Sequence, residues 1–381
     1  MPRPSVKLSK ELARSIRKGH PWVYRDAVAG APKFDDGTLV DVRGKDNRWL
    51  ATGFWDGSSP IAVRVLSRER FEEIEPLLRA RLDAALERRL ARLDRTRTTA
   101  FRWVHGEADE LPGVHVDVYG EVAMLRFDGA GARAAYRSLA GELARTKAWP
   151  IARALDRESR SAAGTIEVLE NGLRFLVDLA HGQKGGLFLD QRENRAEVEA
   201  RSSGRRVLNL FGYTGAFSLY AARGGALRTD TVDQAKPAIA AARRNFELNG
   251  FATDADHAGF HARDAFEFLD EAKRKRKAWD LVICDPPSFA KSRSSLPSAR
   301  KAYRRLFALA AAVVTPGGIF CPASCSSHFS RQEFSAAVKD AVATLGRRFE
   351  LERLAGAGFD HPVIPAFPEG DYLKFALGKL R

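Results

Sequence analysis

The chain is poor in sulfur and has no long apolar run. It holds three cysteines, Cys284, Cys321 and Cys325, and two methionines among 381 residues. The thiols all fall in the last third, with no CxxC pair and no second Cys cluster to complete a zinc site. That pattern argues against a disulfide framework or a bound metal and suits a reducing cytoplasm. No stretch has the length and apolarity of a membrane span, and the basic N-terminus lacks the apolar core of a secretory signal. No internal repeat is evident. What the chain has in excess is positive charge, with 62 Lys and Arg against 48 Asp and Glu and a formal charge of +14. Such an excess favours phosphate-rich partners through long-range attraction and counterion release. A hydrophobic content of 45% is that of a globular protein, and the length requires more than one core.

Residues 1–70 alternate short β-like runs with turns (Gly37–Val42, Trp49–Phe54, Ile61–Leu66), as in a small barrel. Ahead of them, Arg17, Lys18 and His20 stand beside Trp22. That mixture suits an RNA backbone with an exposed base. In the alternative, Trp22 fills the small core and only the cations face water. Residues 71–98 carry leucines near helical spacing. Strands and one helical region follow, and Asn171-Gly172 marks a β-hairpin; residues 71–178 thus form a connecting helix and an α+β domain. From residue 179 onward, strands alternate with helices of ten to fifteen residues, the pattern of a doubly wound sheet.

The predicted strand Arg206–Leu210 runs into Phe211-Gly212-Tyr213-Thr214-Gly215. Glycines here allow close backbone approach to a ligand, and the next helix offers unpaired N–H groups. With two glycines and aromatics between them, the loop would crowd a dinucleotide pyrophosphate; a nicotinamide cofactor is the weaker reading. Asp233 ends the second strand at the distance expected for ribose hydroxyls, and Asp264 after the third suits an adenine amine. Each acid alone also reads as a helix cap. With Asn209 at the end of the first strand, these features outline a pocket for adenosine without a phosphate chain, which S-adenosylmethionine fits best. The preceding stretch from His181 to Arg195 reads as a flap over the cofactor. Gln191 and Arg192 are candidate contacts, and Arg192 can meet a carboxylate or orient Asp190. The bland alternative is a helix whose charges pair at the surface.

Two further segments carry chemistry: Asp285-Pro286-Pro287-Ser288 and Ser324-Cys325-Ser326. Cys325, at a strand end among hydroxyls, is the nucleophile candidate, whereas Cys284 and Cys321 sit inside apolar runs and read as small hydrophobes. A thiolate adding at carbon 6 of cytosine makes carbon 5 able to take a methyl group. Stabilisation of that thiolate is expected from basic surroundings or from the helix beginning near Ser330. Asp285 can hold the target base or lie near the sulfonium of the cofactor, with Pro286 and Pro287 forming a rigid turn. Phe289 can stack on the base. Lys291 and the basic residues after it would position phosphates.

These blocks resemble the bacterial class I S-adenosylmethionine-dependent 23S ribosomal RNA cytosine-C5 methyltransferases of the large-subunit methyltransferase I type. The likeness spans nearly the whole chain. It includes Leu111-Pro112-Gly113, Asp190 to Arg195, Asn209 to Gly215, Val232-Asp233, Asp285-Pro286-Pro287, Ser324-Cys325-Ser326 and the tail Gly370-Asp371-Tyr372-Leu373-Lys374. It implies a multidomain α/β chain: an N-terminal PUA-like β-barrel, a central α+β domain with a β-hairpin, and a C-terminal Rossmann-like methyltransferase sheet over residues 179–381. It also implies Cys325 as catalytic cysteine, Asp233 as ribose contact, Asp264 as adenine contact, 23S rRNA as substrate and a homodimer. Two departures stand out. Ser288 occupies the place where many RNA cytosine-C5 methyltransferases carry a second cysteine, and Gly185-Gly186-Leu187 replaces the usual Thr-Gly-Phe. Two rival functions remain: methylation of an exocyclic amine of adenine or guanine, and a non-catalytic RNA-binding or ribosome-assembly factor.

Overall fold

The computed structural model describes residues 3–158, 164–182, 186–290 and 292–381, with the Arg293 side chain left aside. The chain separates into two compact units. The first takes in Met1–Asn171, Leu179–His181 and Phe359–Gly370; the second, Gly172–Asp178, Gly182–Gly358 and Asp371–Arg381. The Asn171-Gly172 turn has φ values of 50° and 83°, the left-handed pair that a tight hairpin turn requires. It joins strands Thr165–Glu170 and Leu173–Asp178.

In the first unit, Leu39–Arg43, Trp49–Trp55 and Ile61–Ser67 form a meander. The short strands Ser5–Lys7 and Trp22–Tyr24 complete it as a five-stranded sheet. Its apolar side chains, Val40, Val42, Ala51, Trp55, Val63 and Val65 among them, make one core. A second core lies between the helix Ile74–Leu90 and a four-stranded sheet that includes Ala100–His105, Val114–Tyr119 and Val122–Phe127. The helical region expected after it is two short helices, Ala130–Ala135 and Leu139–Arg145. Trp22 turns inward: its Nε1 donates to Glu107 (2.7 Å), and its ring meets Phe367 with centroids 4.6 Å apart. Arg17 and Lys18 stay exposed. Trp22 is thus half-buried against Glu107 and Phe367 rather than filling the core of the five-stranded sheet, and only the exposed cations match the capping reading. Residues 359–370, read from the sequence as part of the methyltransferase domain, group with the first unit. The reason is local: Asp360 accepts from the Arg102 N–H (2.9 Å) and, through its carbonyl, from Arg89 (2.8 Å).

The second unit is built on a seven-stranded sheet. In spatial order the strands are Ala258–Ala262, Arg228–Asp233, Arg206–Leu210, Trp279–Cys284, Val314–Ser324, Lys374–Leu380 and Phe349–Ala355. The first five run parallel, and Lys374–Leu380 lies antiparallel to both its neighbours. Chain order reverses direction between Arg206–Leu210 and Trp279–Cys284. In such sheets the crevice at the carboxyl ends beside that reversal is where ligands bind.

Strand Arg228–Asp233 carries more polar residues than a central strand usually does, and its Asp230 is buried. Burial disfavours the Asp230 charge, but donors from His261 (2.8 Å), Arg228 (3.0 Å) and Trp279 Nε1 (2.9 Å) outweigh it and hold the carboxyl well below its usual range. Asp230→Asn should lower the unfolding free energy by about 2 kcal/mol at neutral pH. A carboxyl depressed in the folded state stabilises above its unfolded value, about pH 4, and the gain is lost as pH falls below that. In urea unfolding, the gap between parent and variant should therefore be full at neutral pH and narrow on acidification.

Candidate active site

Register brings the site together. Leu210 pairs with Val232 on one side and with Cys284 on the other. The residues that follow, Phe211, Asp233 and Asp285, therefore leave the sheet at one level. Phe211 and Tyr213 adopt φ of 57° and 48°, a region that costs non-glycine residues about 1–2 kcal/mol each. Three bonds hold the loop in that shape. Gly212 N–H donates to the Val232 carbonyl (2.9 Å), Gly215 N–H to the Gly212 carbonyl (2.8 Å), and Tyr213 N–H to Asp233 Oδ2 (3.0 Å). A Cβ at Gly212 would lie 2.6 Å from Thr231 Cγ2 and 2.9 Å from Asn209 Nδ2, so the turn requires glycine. Asn209 itself sits beneath the loop, donating to Ser218 Oγ (3.1 Å).

Asp233 joins two segments, since its Oδ1 accepts from the Ala235 N–H (2.9 Å) while Oδ2 holds Tyr213. Asp264 caps the helix Ala265–Arg274, with Oδ1 accepting from the Phe266 (2.8 Å) and Glu267 (3.1 Å) N–H groups. It is a cap and also borders the cavity.

The segment before the first strand supplies a wall. Gln191 Nε2 donates to Asp285 Oδ2 (2.9 Å), and Asn194 donates to Gln191 Oε1 (2.6 Å). This relay sets the amide orientation and holds the Asp285 carboxylate from behind. Asp190 accepts from the Tyr372 hydroxyl (2.6 Å). Arg192 and Arg195 are both buried, so the surface-pairing alternative fails. Arg192 binds Glu193 (3.2 Å) and is not among the cavity's described lining residues; Arg195, beside the rings of Phe217 and Tyr220, is. The cavity is thus bordered by Arg195 rather than by the Arg192 that the sequence singled out, and their spacing on one helix gave no means of separating them. Phe188 meets Tyr213 edge to face with centroids 5.3 Å apart.

These elements enclose a cavity of about 300 Å³, the scale of small-molecule sites. Gln191, Phe211, Gly212, Tyr213, Thr214, Asp233, Asp264, Asp285, Pro286, Pro287 and Cys325 line it. Among the described residues, Asn209, Gly215, Arg192 and Phe289 do not. Phe289 packs instead on Tyr303, centroids 4.8 Å apart, because the turn after the two prolines carries it toward the core. Gly215 serves packing: a Cβ there would lie 2.8 Å from that of Ala242. Lys291 lies outside the described residues.

Cys325 is half-buried on the cavity wall, whereas Cys284 and Cys321 are fully buried and burial pushes both thiols up. Its turn is fixed on both sides by Ser324 Oγ donating to Tyr303 (2.9 Å) and Ser326 Oγ to the Ala290 carbonyl (2.9 Å). The helix expected to favour a thiolate, Arg331–Ala343, has its first-turn donors closed by a Ser330–Glu333 capping box, and His328 is exposed. A cation missed at the sequence level is nearer. Lys374, from the final strand, donates to the Ser326 carbonyl (2.6 Å).

Residues 130–330 match the S-adenosylmethionine-dependent methyltransferase family, and residues 6–68 match the PUA-like domain. A "Ribosomal RNA large subunit methyltransferase I" of Aeromonas salmonicida is 34% identical over 97% of this chain and 97% of its own. A "Ribosomal RNA large subunit methyltransferase" of Deinococcus radiodurans is 37% identical over 98% of this chain and 96% of its own. The chain belongs to this methyltransferase family. Its fold matches a solved methyltransferase complexed with SAH at TM-score 0.85 and 23% identity, covering 100% of both chains. It likewise matches a SAM-dependent methyltransferase from Streptococcus mutans at TM-score 0.85 and 22% identity, covering 99% of this chain and 100% of that one. The expected PUA-like and Rossmann-like architecture is borne out.

S-adenosylmethionine is the cofactor of this methyltransferase, and the cavity suits it chemically. It combines three half-buried carboxylates, Asp233, Asp264 and Asp285, with aromatic rings and a glycine loop at the sheet's reversal point, and has no phosphate cradle of three glycines. Asp233→Ala would free the N–H groups of Tyr213 and Ala235 and let the strained loop relax. Its affinity for S-adenosylmethionine should fall at least about tenfold in a calorimetric titration, the scale of one lost charge-assisted bond.

Proposed function

We propose that this methyltransferase methylates carbon 5 of a cytosine in 23S ribosomal RNA, with Cys325 as covalent nucleophile. The observation that carries the reading is that the half-buried thiol of Cys325 lines the same cavity as Asp233, Asp264 and the Asp285-Pro286-Pro287 turn. Bound S-adenosylmethionine supplies an electrophilic methyl group on a sulfonium. Cys325, as thiolate, forms a bond from Sγ to C6 of the cytosine, and the C5=C6 electron pair moves to C5. C5 takes the methyl group while the sulfonium keeps the pair of the broken carbon–sulfur bond. Loss of the C5 proton to a base then restores C5=C6, and the Sγ–C6 bond breaks with its pair returning to sulfur. Asp285, held from behind by Gln191, orients the base by accepting from its exocyclic amino group. Ser288 stands where a second cysteine would assist release, so the base is another group or water.

The rival reaction at an exocyclic amine uses an aromatic just after its prolines. Phe289 is packed on Tyr303, which favours the cysteine route. The PUA-like match and exposed Arg17 and Lys18 support RNA binding through phosphates. The same reading takes the enzyme to be a cytoplasmic homodimer. No helix among the described residues is long and apolar enough to cross a membrane.

Cys325→Ala should abolish 5-methylcytosine formation in large-subunit RNA, read by mass spectrometry, while S-adenosylmethionine binding persists. Near-normal turnover of that variant would sink the cysteine mechanism. Absence of cofactor binding by the parent protein would favour the assembly-factor reading.

A further inference from the structure

Lys374 is 1% exposed, and among the described residues no other lysine is so deeply buried. Its Nζ donates to the Ser326 carbonyl (2.6 Å) and the Tyr372 carbonyl (3.1 Å). Among the described residues it forms no ion pair, so its hydrogen-bond partners are neutral. An ammonium buried in this way is costly, and a neutral amide donor could hold a carbonyl without that cost. The charge therefore calls for an anionic partner close by. Asp371 and Glu333 are carboxylates that act on Lys374, and register adds a third candidate: Lys374 lies opposite Ser324 and bonds Ser326, so the thiol of the residue between them, Cys325, acts on it as well.

We propose that Lys374 is the positioning residue for Cys325, its buried ammonium clamping the Ser324–Ser326 turn and holding Sγ as the thiolate. This rests on the reading of Cys325 as nucleophile. The proton leaving Sγ passes to solvent, and the ammonium keeps its own. The other charged groups around the pair have been placed as follows. Asp371, Arg331 and Glu333 act on Lys374, and Arg331 is itself engaged with Asp371 (2.6 Å). Asp285, across the cavity, opposes the thiolate. Burial pushes the Tyr303 phenol up to about 12, so it stays neutral beside Cys325. His328 is exposed on the same turn.

The sign of the pH effect follows from the amine. Burial lowers Lys374 to about 8. Its charge is present below that pH and lost above it, so its help to the thiolate is confined to the lower side.

The test is the rate of Cys325 alkylation by iodoacetamide in the full-length protein, mapped by mass spectrometry between about pH 6 and 10. Lys374→Gln keeps a donor for the Ser326 carbonyl but removes the charge. Its alkylation midpoint should move up by about one unit or more, making the reaction about tenfold slower at neutral pH. The difference from the parent should shrink as pH rises through about 8 and be gone at the alkaline end of the range. Lys374→Met serves as second variant, and retained S-adenosylmethionine binding certifies the fold of each. A Gln profile that overlays the parent's would overturn the proposal, leaving Lys374 a structural clamp. That result leaves the cysteine mechanism standing. Methylation by Cys325→Ala would remove the mechanism without altering the alkylation shift.

Discussion

The alignment of three strand ends is the constraint from which the rest of the site follows. With Leu210, Val232 and Cys284 side by side in a parallel ladder, a strained loop, a carboxylate and a proline turn emerge at one height. A slip of one residue in any of these strands would exchange the side chains of the sheet's two buried faces along its whole length. The apolar packing of the sheet thus fixes the chemistry at its edge. The polar network around Asp230 serves the same end one turn of pleat below, tying Arg228, His261 and Trp279 to a single carboxylate. The strained φ values of Phe211 and Tyr213 persist because the neighbouring strand supplies their acceptors.

The second theme is support from behind. Few of the cavity's reactive or binding groups depend on their own element alone. Asp285 is steadied by Gln191, which is steadied by Asn194. The Cys325 turn is held by Tyr303 from a helix, by Ala290 from a loop and by Lys374 from the final strand. Anchoring from separate elements keeps a short irregular segment in one geometry, which covalent chemistry at a single atom requires.

Much of this was legible in the sequence. The sequence pattern predicts strands Arg206–Leu210 and Trp279–Cys284 and a helix Ala216–Arg223, and the structure has the same ends, because apolar runs there are bounded by glycine or proline. The same pattern predicts a helix from Ala302 after the Asp285 turn; it begins instead at Leu296, since Pro297 falls in the first turn, where proline is tolerated. Three-residue strands such as Ser5–Lys7 and Trp22–Tyr24 are too short to show a period. Asp233 and Cys325 could be chosen from their place after apolar runs. Lys374 and Arg195 could not, because their meaning depends on partners far away in sequence. Phe289 shows the converse case: a residue type suited to stacking, carried onto Tyr303 by the turn that precedes it.

The course of the chain between the two units has a consequence for how the protein can be divided. It changes unit after Asn171, Asp178, His181, Gly358 and Gly370. The last excursion places Phe359–Gly370 in the first unit before the chain returns to supply Lys374–Leu380 to the sheet of the second. Neither unit is a continuous stretch of polypeptide. A single cut cannot release either of them whole, and a gene fusion or recombination event exchanging one must carry part of the other with it. The PUA-like and methyltransferase portions are thereby inherited as one indivisible length of chain.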